Sequence, residues 1–192
     1  MRKILFSLYK LLLIPHLILY KKSANKAIIN QDLNRWSKAK NIEGSYNKLL
    51  LHFLTNSSDF RTIFYFRIQS IITHFLNIYC KKESNFTIDI TTKLAGGILT
   101  GHPYSTILNA ESIGSNFYVN HLVTIGEVNG KRPTIGNNVS IYTGAIVIGD
   151  ITIGDNCSIG AGAVVVKSIP DNCVVVGNPS KIIKQDGKRI EN

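Results

Sequence analysis

Between residues 113 and 169 a β-branched aliphatic residue returns every six positions. Ile113, Val119 and Ile125 form one run, and Ile135, Ile141, Val147, Ile153, Ile159 and Val165 form a second. Four places after each member of the second run stands a compact or apolar residue: Val139, Ala145, Ile151, Cys157, Ala163, Ile169. Gly, Asn and Asp fill the gaps, as in Gly136-Asn137-Asn138 and Gly154-Asp155-Asn156. An amphipathic helix repeats near every ~3.6 residues and does not tolerate glycines throughout. A fixed short period instead marks a parallel β-solenoid. Six residues make one short strand and one corner, and three such units make one triangular coil. The branched aliphatic packs inward on a pleated surface. The compact residue fills the narrower interior beside it, and Gly, Asn and Asp tolerate the left-handed corner angles.

The register breaks once. The aliphatic due at position 131 arrives at Ile135, so four extra residues lie within residues 127–134, a stretch that includes Lys131, Arg132 and Pro133. A solenoid accepts an insertion only at a corner, where it is extruded as a loop, and such loops often carry function.

Before the repeat, residues 1–22 hold an apolar run from Ile4 to Tyr20 between Arg2-Lys3 and Lys21-Lys22. Lys10 interrupts the run and Pro15-His16 breaks or kinks a helix there. No small-residue cleavage site follows, which argues against a secretory signal. Two readings stand: a helix packed on its own protein or an oligomer neighbour, and a basic apolar helix lying in the membrane interface. Residues 23–45 read as polar and basic. Residues 46–80 show helical periodicity, with Ser57-Ser58-Asp59 a helix start, and predict two helices joined near residues 55–58. Arg61 and Arg67 read as solvated or helix-capping, and His52 and His74 as structural. Residues 81–85 are a linker, residues 86–90 the first strand, and residues 91–112 degenerate coils. The expected architecture is α+β: a helical region over 1–85, a solenoid over 86–183 and a charged tail over 184–192.

The 192 residues carry a formal charge of +10 and three cysteines without metal spacing or an even disulfide set. This fits a reducing, cytoplasmic setting. Cys157 falls at an inward position and reads as a small buried hydrophobe. The basic balance asks for an anionic partner. No nucleic-acid module is present, which leaves a membrane face or a phosphate-rich small molecule.

Three motifs add to the repeat: Gly97-Ile98-Leu99-Thr100-Gly101-His102, Val123-Thr124-Ile125-Gly126, and the run Val174-Val175-Val176-Gly177-Asn178-Pro179-Ser180-Lys181-Ile182-Ile183. Together they resemble the hexapeptide-repeat acetyltransferases, in the branch of serine acetyltransferase and its relatives in bacterial capsule and surface-polysaccharide gene clusters. The resemblance covers residues 86–183, is weaker over 46–85, and does not reach 1–45. It implies a left-handed β-helix, acetyl-CoA as co-substrate without a metal, and a homotrimer with active sites between subunits.

It also implies roles. The matching general base is His102, which would take the proton from an acceptor hydroxyl, because an alcohol is a poor nucleophile until a base near neutral pKa removes it. The matching orienting carboxylate is Asp89, at a spacing two residues shorter than in serine acetyltransferase. His121 is the rival base, or a residue lining the acceptor site beside Arg132. Backbone near Thr143, Gly144, Gly160 and Ala161 would hold pantetheine, and Lys167 and Lys181 the phosphates, although both lysines also read as a solvated face. The serine enzymes carry Asp where this chain has Gly101, and Arg-His where it has Lys131-Arg132. Losing that Asp removes a partner for serine's ammonium group, which favours a sugar hydroxyl in surface-polysaccharide synthesis as acceptor over serine in cysteine synthesis. A non-acylating scaffold is a third reading. A zinc hydratase of the left-handed helix type needs three histidines on neighbouring coils, and outside the helical part only His102 and His121 exist.

Overall fold

The computed structural model describes residues 11–190, so the first ten residues of the apolar, basic segment 1–22 lie outside it. The chain divides between Glu83 and Ser84 into two compact units.

The first unit is helical: α1 (Ile14–Lys22), α2 (Lys26–Lys40), α3 (Tyr46–Asn56), α4 (Ser58–Ile68) and α5 (Ile72–Tyr79). Its centre is an aromatic cluster. The Trp36 ring meets Phe53 at 5.4 Å and Phe60 at 5.1 Å, both edge-on, the arrangement the ring quadrupoles favour. Pro15 sits in the first turn of α1. There its missing N–H costs nothing, and the break expected at this point falls at Leu13, a turn between helical Leu12 and α1. The stretch 23–45, read as polar, contains α2: Ile29, Leu33 and Trp36 recur at helical spacing and are buried. The break between α3 and α4 falls at Ser57, as expected. A second break at Gln69, which is left-handed at φ 48°, separates α4 from α5 where one continuous helix was expected. Arg61 donates to the Leu54 carbonyl at 2.7 Å and caps the end of α3. Arg67 is not solvated: its Nε lies 3.0 Å from Asp32 Oδ2, with both side chains almost fully buried.

The second unit is a parallel solenoid of five coils. One sheet runs β1-β4-β7-β10 (Ile146–Ile148)-β13 (Val164–Val165), a second β2-β5 (Ser112–Ile113)-β8-β11 (Thr152–Ile153), and a third β3-β6-β9-β12-β14 before turning antiparallel through β15 and β16. The ranges that matter below are β1 (Phe86–Ile88), β2 (Lys93–Leu94), β3 (Leu99–Gly101), β4 (Thr106–Leu108), β6 (Tyr118–Asn120), β7 (Thr124–Gly126), β8 (Thr134–Ile135), β9 (Ser140–Ile141), β12 (Ser158–Ile159), β14 (Cys173–Val176), β15 (Lys181–Gln185) and β16 (Lys188–Arg189). Ser140 pairs with Ser158, eighteen residues on, which is three hexads. Tyr118 pairs with Ser140, twenty-two residues on, because the insertion lies between them. Every aliphatic of both runs, from Ile113 to Val165, is 0–2% exposed, and Val139, Ala145, Cys157 and Ala163 are 0% exposed beside them.

One corner is held by an asparagine ladder. Asn116, Asn138, Asn156 and Asn172 all take left-handed backbone angles. Each amide donates to the next across 3.0–3.1 Å, and Asn172 passes the ladder to Asp186 at 2.9 Å. Asparagine tolerates this backbone region and offers both a donor and an acceptor, so it fits each step. The insertion folds into a two-residue hairpin: Val128 and Lys131 exchange both backbone bonds around Asn129-Gly130, each at positive φ. That is the turn an Asn-Gly pair favours. Residues 184–189, expected within a charged tail, instead complete β15 and form β16, a hairpin that pairs with the exposed edge of β14.

In the helical unit His16 is fully buried, and its Nε2 lies 2.9 Å from the Tyr65 hydroxyl. That hydroxyl donates to the Cys80 carbonyl at 2.8 Å, so Nε2 carries the imidazole proton, and Nδ1 is left without a partner. Burial, with a smaller contribution from Arg61, lowers the His16 pKa to about 4 from 6.5. The unfolded chain therefore binds the proton first, and stability falls as pH drops from 6.5 toward 4. At pH 5 the helical unit should be less stable than at pH 7 by about 2 kcal/mol. Urea unfolding followed by the single tryptophan, Trp36, measures this, and the His16→Leu variant should lose the dependence.

Candidate functional site

The site is a matter of corners. Gly101 at the end of β3 pairs with Asn120 at the end of β6. Val119 pairs with Ile141, and Ile141 with Ile159. Continuing this register one and two steps puts Asn120, Tyr142 and Gly160 in one column and His121, Thr143 and Ala161 in the next. Backbone bonds hold the columns together: Gly144 N–H donates to the His121 carbonyl at 3.1 Å, and Gly162 N–H to the Thr143 carbonyl at 2.9 Å. Gly144 (φ 71°) and Gly162 (φ 67°) turn this corner. Around the position a Cβ on Gly162 would take there is open space, and on Gly144 only the Gly162 nitrogen comes near, at 3.9 Å. The corner between the third and first sheets is thus open at Gly144 and Gly162, next to Thr143 and Ala161, while Gly160 lies under the Val176 side chain. That suits a thin, extended ligand lying along backbone.

His102 belongs to the same corner but stands out of the column. β3 lies 19 residues before its partner β6, as in Leu99 with Tyr118. On the other side of the corner β4 lies 17 residues before β7, as in Ile107 with Thr124. The first coil therefore carries two more residues in this corner than the second. Tyr104 is the residue stacked on His121, with ring centroids 5.1 Å apart at 10°. Leu122 N–H donates to the Tyr104 carbonyl at 3.1 Å, as Gly144 does to that of His121. His102 and Pro103 are the added pair: His102 stands out of the stack while Pro103 is buried against it. His102 takes φ 54° and is exposed. His121 is half-buried, with Nδ1 2.7 Å from Asn120 Oδ1, so its ring is held between that amide and Tyr104.

Asp89 and Arg132 lie on a different corner, the one between the first and second sheets. Asp89 follows β1 and Arg132 precedes β8, one and three coils along the same edge. Asp89 Oδ1 accepts from the Thr91 amide at 2.9 Å and from the Thr91 hydroxyl, and Arg132 Nη1 stands 3.8 Å away. These bonds hold the Asp89 carboxyl below the usual carboxylate range, the Thr91 hydroxyl first among them. Arg132 Nη2 donates to Glu111 Oε2 at 2.8 Å, and Lys93 Nζ to Glu111 Oε1 at 2.9 Å. The structure thus joins Asp89 with Arg132 through Thr91, and sets both apart from His102 within one chain. Lys167 lies on the same edge in the last coil, and Lys181 opens β15; both are exposed. Thr91, Lys93, Glu111, Tyr104 and Tyr118 were not singled out from sequence. Counting Glu111 and Thr91 into the coil register would have placed them beside Arg132. Among the described residues no group of three or more His, Cys, Asp or Glu side chains converges in a way that could hold a metal.

Gly101 has a steric reason. A Cβ there would run into the Tyr118 hydroxyl and lie 3.4 Å from Asn120 Oδ1. The Tyr118 hydroxyl thus fills the place that a side chain at position 101, next to His102, would take.

Residues 132–167 match the family described as bacterial transferase hexapeptide (six repeats). Over 82 residues the chain is 50% identical to a serine acetyltransferase of Staphylococcus xylosus, covering 41% of this chain and 38% of that protein. Over 85 residues it is 40% identical to the putative colanic acid biosynthesis acetyltransferase WcaB of Escherichia coli, covering 42% of this chain and 52% of that protein. The chain thus spans about half or less of the length of these curated relatives. The crystal structure of Neisseria gonorrhoeae serine acetyltransferase in complex with serine superposes with a TM-score of 0.66 at 26% identity, covering 94% of this chain and 74% of that one.

The Gly101–Tyr118 contact yields a double-mutant cycle. Gly101→Ala should cost about 1–2 kcal/mol by overpacking, and clearly less in a Tyr118→Phe background, where the clashing atom is gone. Urea unfolding by circular dichroism measures the coupling, and simple additivity would refute the steric account. With helices before it and five stacked coils of hexads, the solenoid is a left-handed β-helix, and the chain is similar to hexapeptide-repeat acetyltransferases, serine acetyltransferases and WcaB among them.

Proposed function

We propose that the chain is an acetyl-CoA-dependent O-acetyltransferase, with a sugar hydroxyl of a surface polysaccharide or its precursor as acceptor. The observation that carries this reading is the corner holding exposed His102 beside the open backbone step at Gly144 and Gly162. His102 takes the proton from the acceptor hydroxyl. The hydroxyl oxygen forms the new ester bond to the acetyl carbon, the thioester C–S bond breaks, and the proton passes to the departing CoA thiolate. Pantetheine lies along Thr143-Gly144 and Gly160-Ala161, with Lys167 and Lys181 near the phosphates. His121, steadied by Asn120 and Tyr104, lines the acceptor pocket. Tyr118 at the place of the serine enzymes' Asp supports a neutral acceptor, because a phenol offers no counter-charge to an ammonium group.

Asp89 and Arg132 enter from a neighbouring copy. Their edge of the prism is not the edge of His102, so a homotrimer with sites between subunits brings the two edges together. A specific observation favours the runner-up, serine O-acetylation: the 50% identity to a serine acetyltransferase. A cytoplasmic place, at the inner face of the membrane, fits a precursor acceptor.

CoA release from acetyl-CoA decides between the acceptors, with L-serine set against nucleotide sugars and oligosaccharides. Turnover with a sugar alone is expected, falling about 10²–10⁴-fold in His102→Ala. Turnover with serine would move the protein to cysteine synthesis, and unchanged turnover in His102→Ala would remove His102 as base. Mixing separately inactive His102→Ala and Asp89→Ala subunits, unfolded and refolded together, should restore part of the activity, since some interfaces then carry both intact edges. No recovery would place both residues in a site of one chain.

A further inference from the structure

Among its described residues, the helical unit carries an apolar face that none of them covers. On α5, Thr73, Leu76 and Cys80 point inward, while Ile71, Phe75 and Ile78 point out and are 72%, 66% and 71% exposed. Ile72 and Tyr79 flank them. A helix on a water-facing surface normally turns charged and polar residues outward; this one turns Ile71, Phe75 and Ile78 outward with His74 among them. α1 adds to the same face. The Tyr79 hydroxyl donates to the Leu12 carbonyl at 2.9 Å, and the Tyr79 ring meets His16 edge-on at 6.1 Å. Leu11, Leu12, Ile14 and Ile18 of that segment are all exposed. A patch of this extent marks an interaction surface.

Charge identifies the partner. Residues 1–83 hold fourteen Lys and Arg against four Asp and Glu, whereas residues 84–192 hold eight of each. The whole formal charge of +10 therefore belongs to the helical unit. Lys21 and Lys22 end α1, and Lys81 and Lys82 follow α5 directly, all four exposed. A second copy of this face would bring like charge onto like, while an anionic lipid surface is complementary to both the lysines and the apolar side chains. Among the described residues no helix is long and apolar enough to cross a membrane. We propose that the exposed face of α1 and α5 lies in the headgroup region of an anionic bilayer, with the flanking lysines on the phosphates. The surface reaches well beyond residues 1–22: α5 supplies its largest side chains.

The test is flotation of the full chain with phosphatidylcholine vesicles, with and without about one-third phosphatidylglycerol. The protein should float with the anionic vesicles and be largely released by high salt. Phe75→Ser/Ile78→Ser should lower partitioning about tenfold or more, with helical circular dichroism unchanged because both side chains are exposed. Ile14→Ser/Ile18→Ser, on the other helix, should do the same. The proposal falls if the wild-type chain stays unbound to anionic vesicles, or if both double variants float as well as it does. It falls also if the variants split an oligomer in light scattering while vesicle binding is untouched, since the face would then belong to a second copy.

Discussion

Everything in the solenoid depends on one constraint: each coil must hydrogen-bond to the next through nearly every strand residue, so every residue sits over its counterpart. Backbone groups inside a protein cannot be left unpaired without cost. The hexad period follows, since a residue gained inside a strand would flip the side chains after it to the wrong face. Variation is pushed to the corners. The chain departs from the period at several of them, and two, the Asn129-Gly130 hairpin and the residues added at His102-Pro103, set Lys131 and His102 at the surface.

The interior was legible from sequence because the signal is redundant. Nine aliphatics and their compact companions say the same thing, and burial agrees at each. The corners were less so. His102 was recognisable by its motif, but its extrusion shows only when the offset to the next coil is compared on either side, 19 residues against 17. Asp89 and His102 read as one pair along a single stretch of sequence, yet the triangular winding carries one to each of two edges. Linear spacing does not say which edge a residue reaches; counting hexads does.

In the helical unit, legibility failed where charge masked pattern. α2 has three apolar residues on its inner face, Ile29, Leu33 and Trp36, diluted among polar neighbours. The buried partner that completes that face is Asp32, which no hydropathy count favours, and its ion pair with Arg67 hides both. A buried pair of this kind is weak evidence of stability but fixes one arrangement of α2 on α4, since either member alone would be an uncompensated charge. The Gln69 break escaped notice because it uses neither Gly nor Pro; a left-handed Gln ends α4.

The two units divide the chemistry between them. The solenoid is electrically balanced, and three of its eight cations sit on carboxylates: Arg132 and Lys93 on Glu111, Lys131 on Asp150. A balanced prism suits a site built on backbone and shape, where a long ligand is aligned by stacked corners rather than drawn in by field. The helical unit carries the charge and the uncovered apolar face. Under the function and the surface proposed above, one unit would hold the co-substrate and the other would be held at a charged surface. For an acceptor itself carried at that surface, such tethering would raise the local concentration of acceptor at the site.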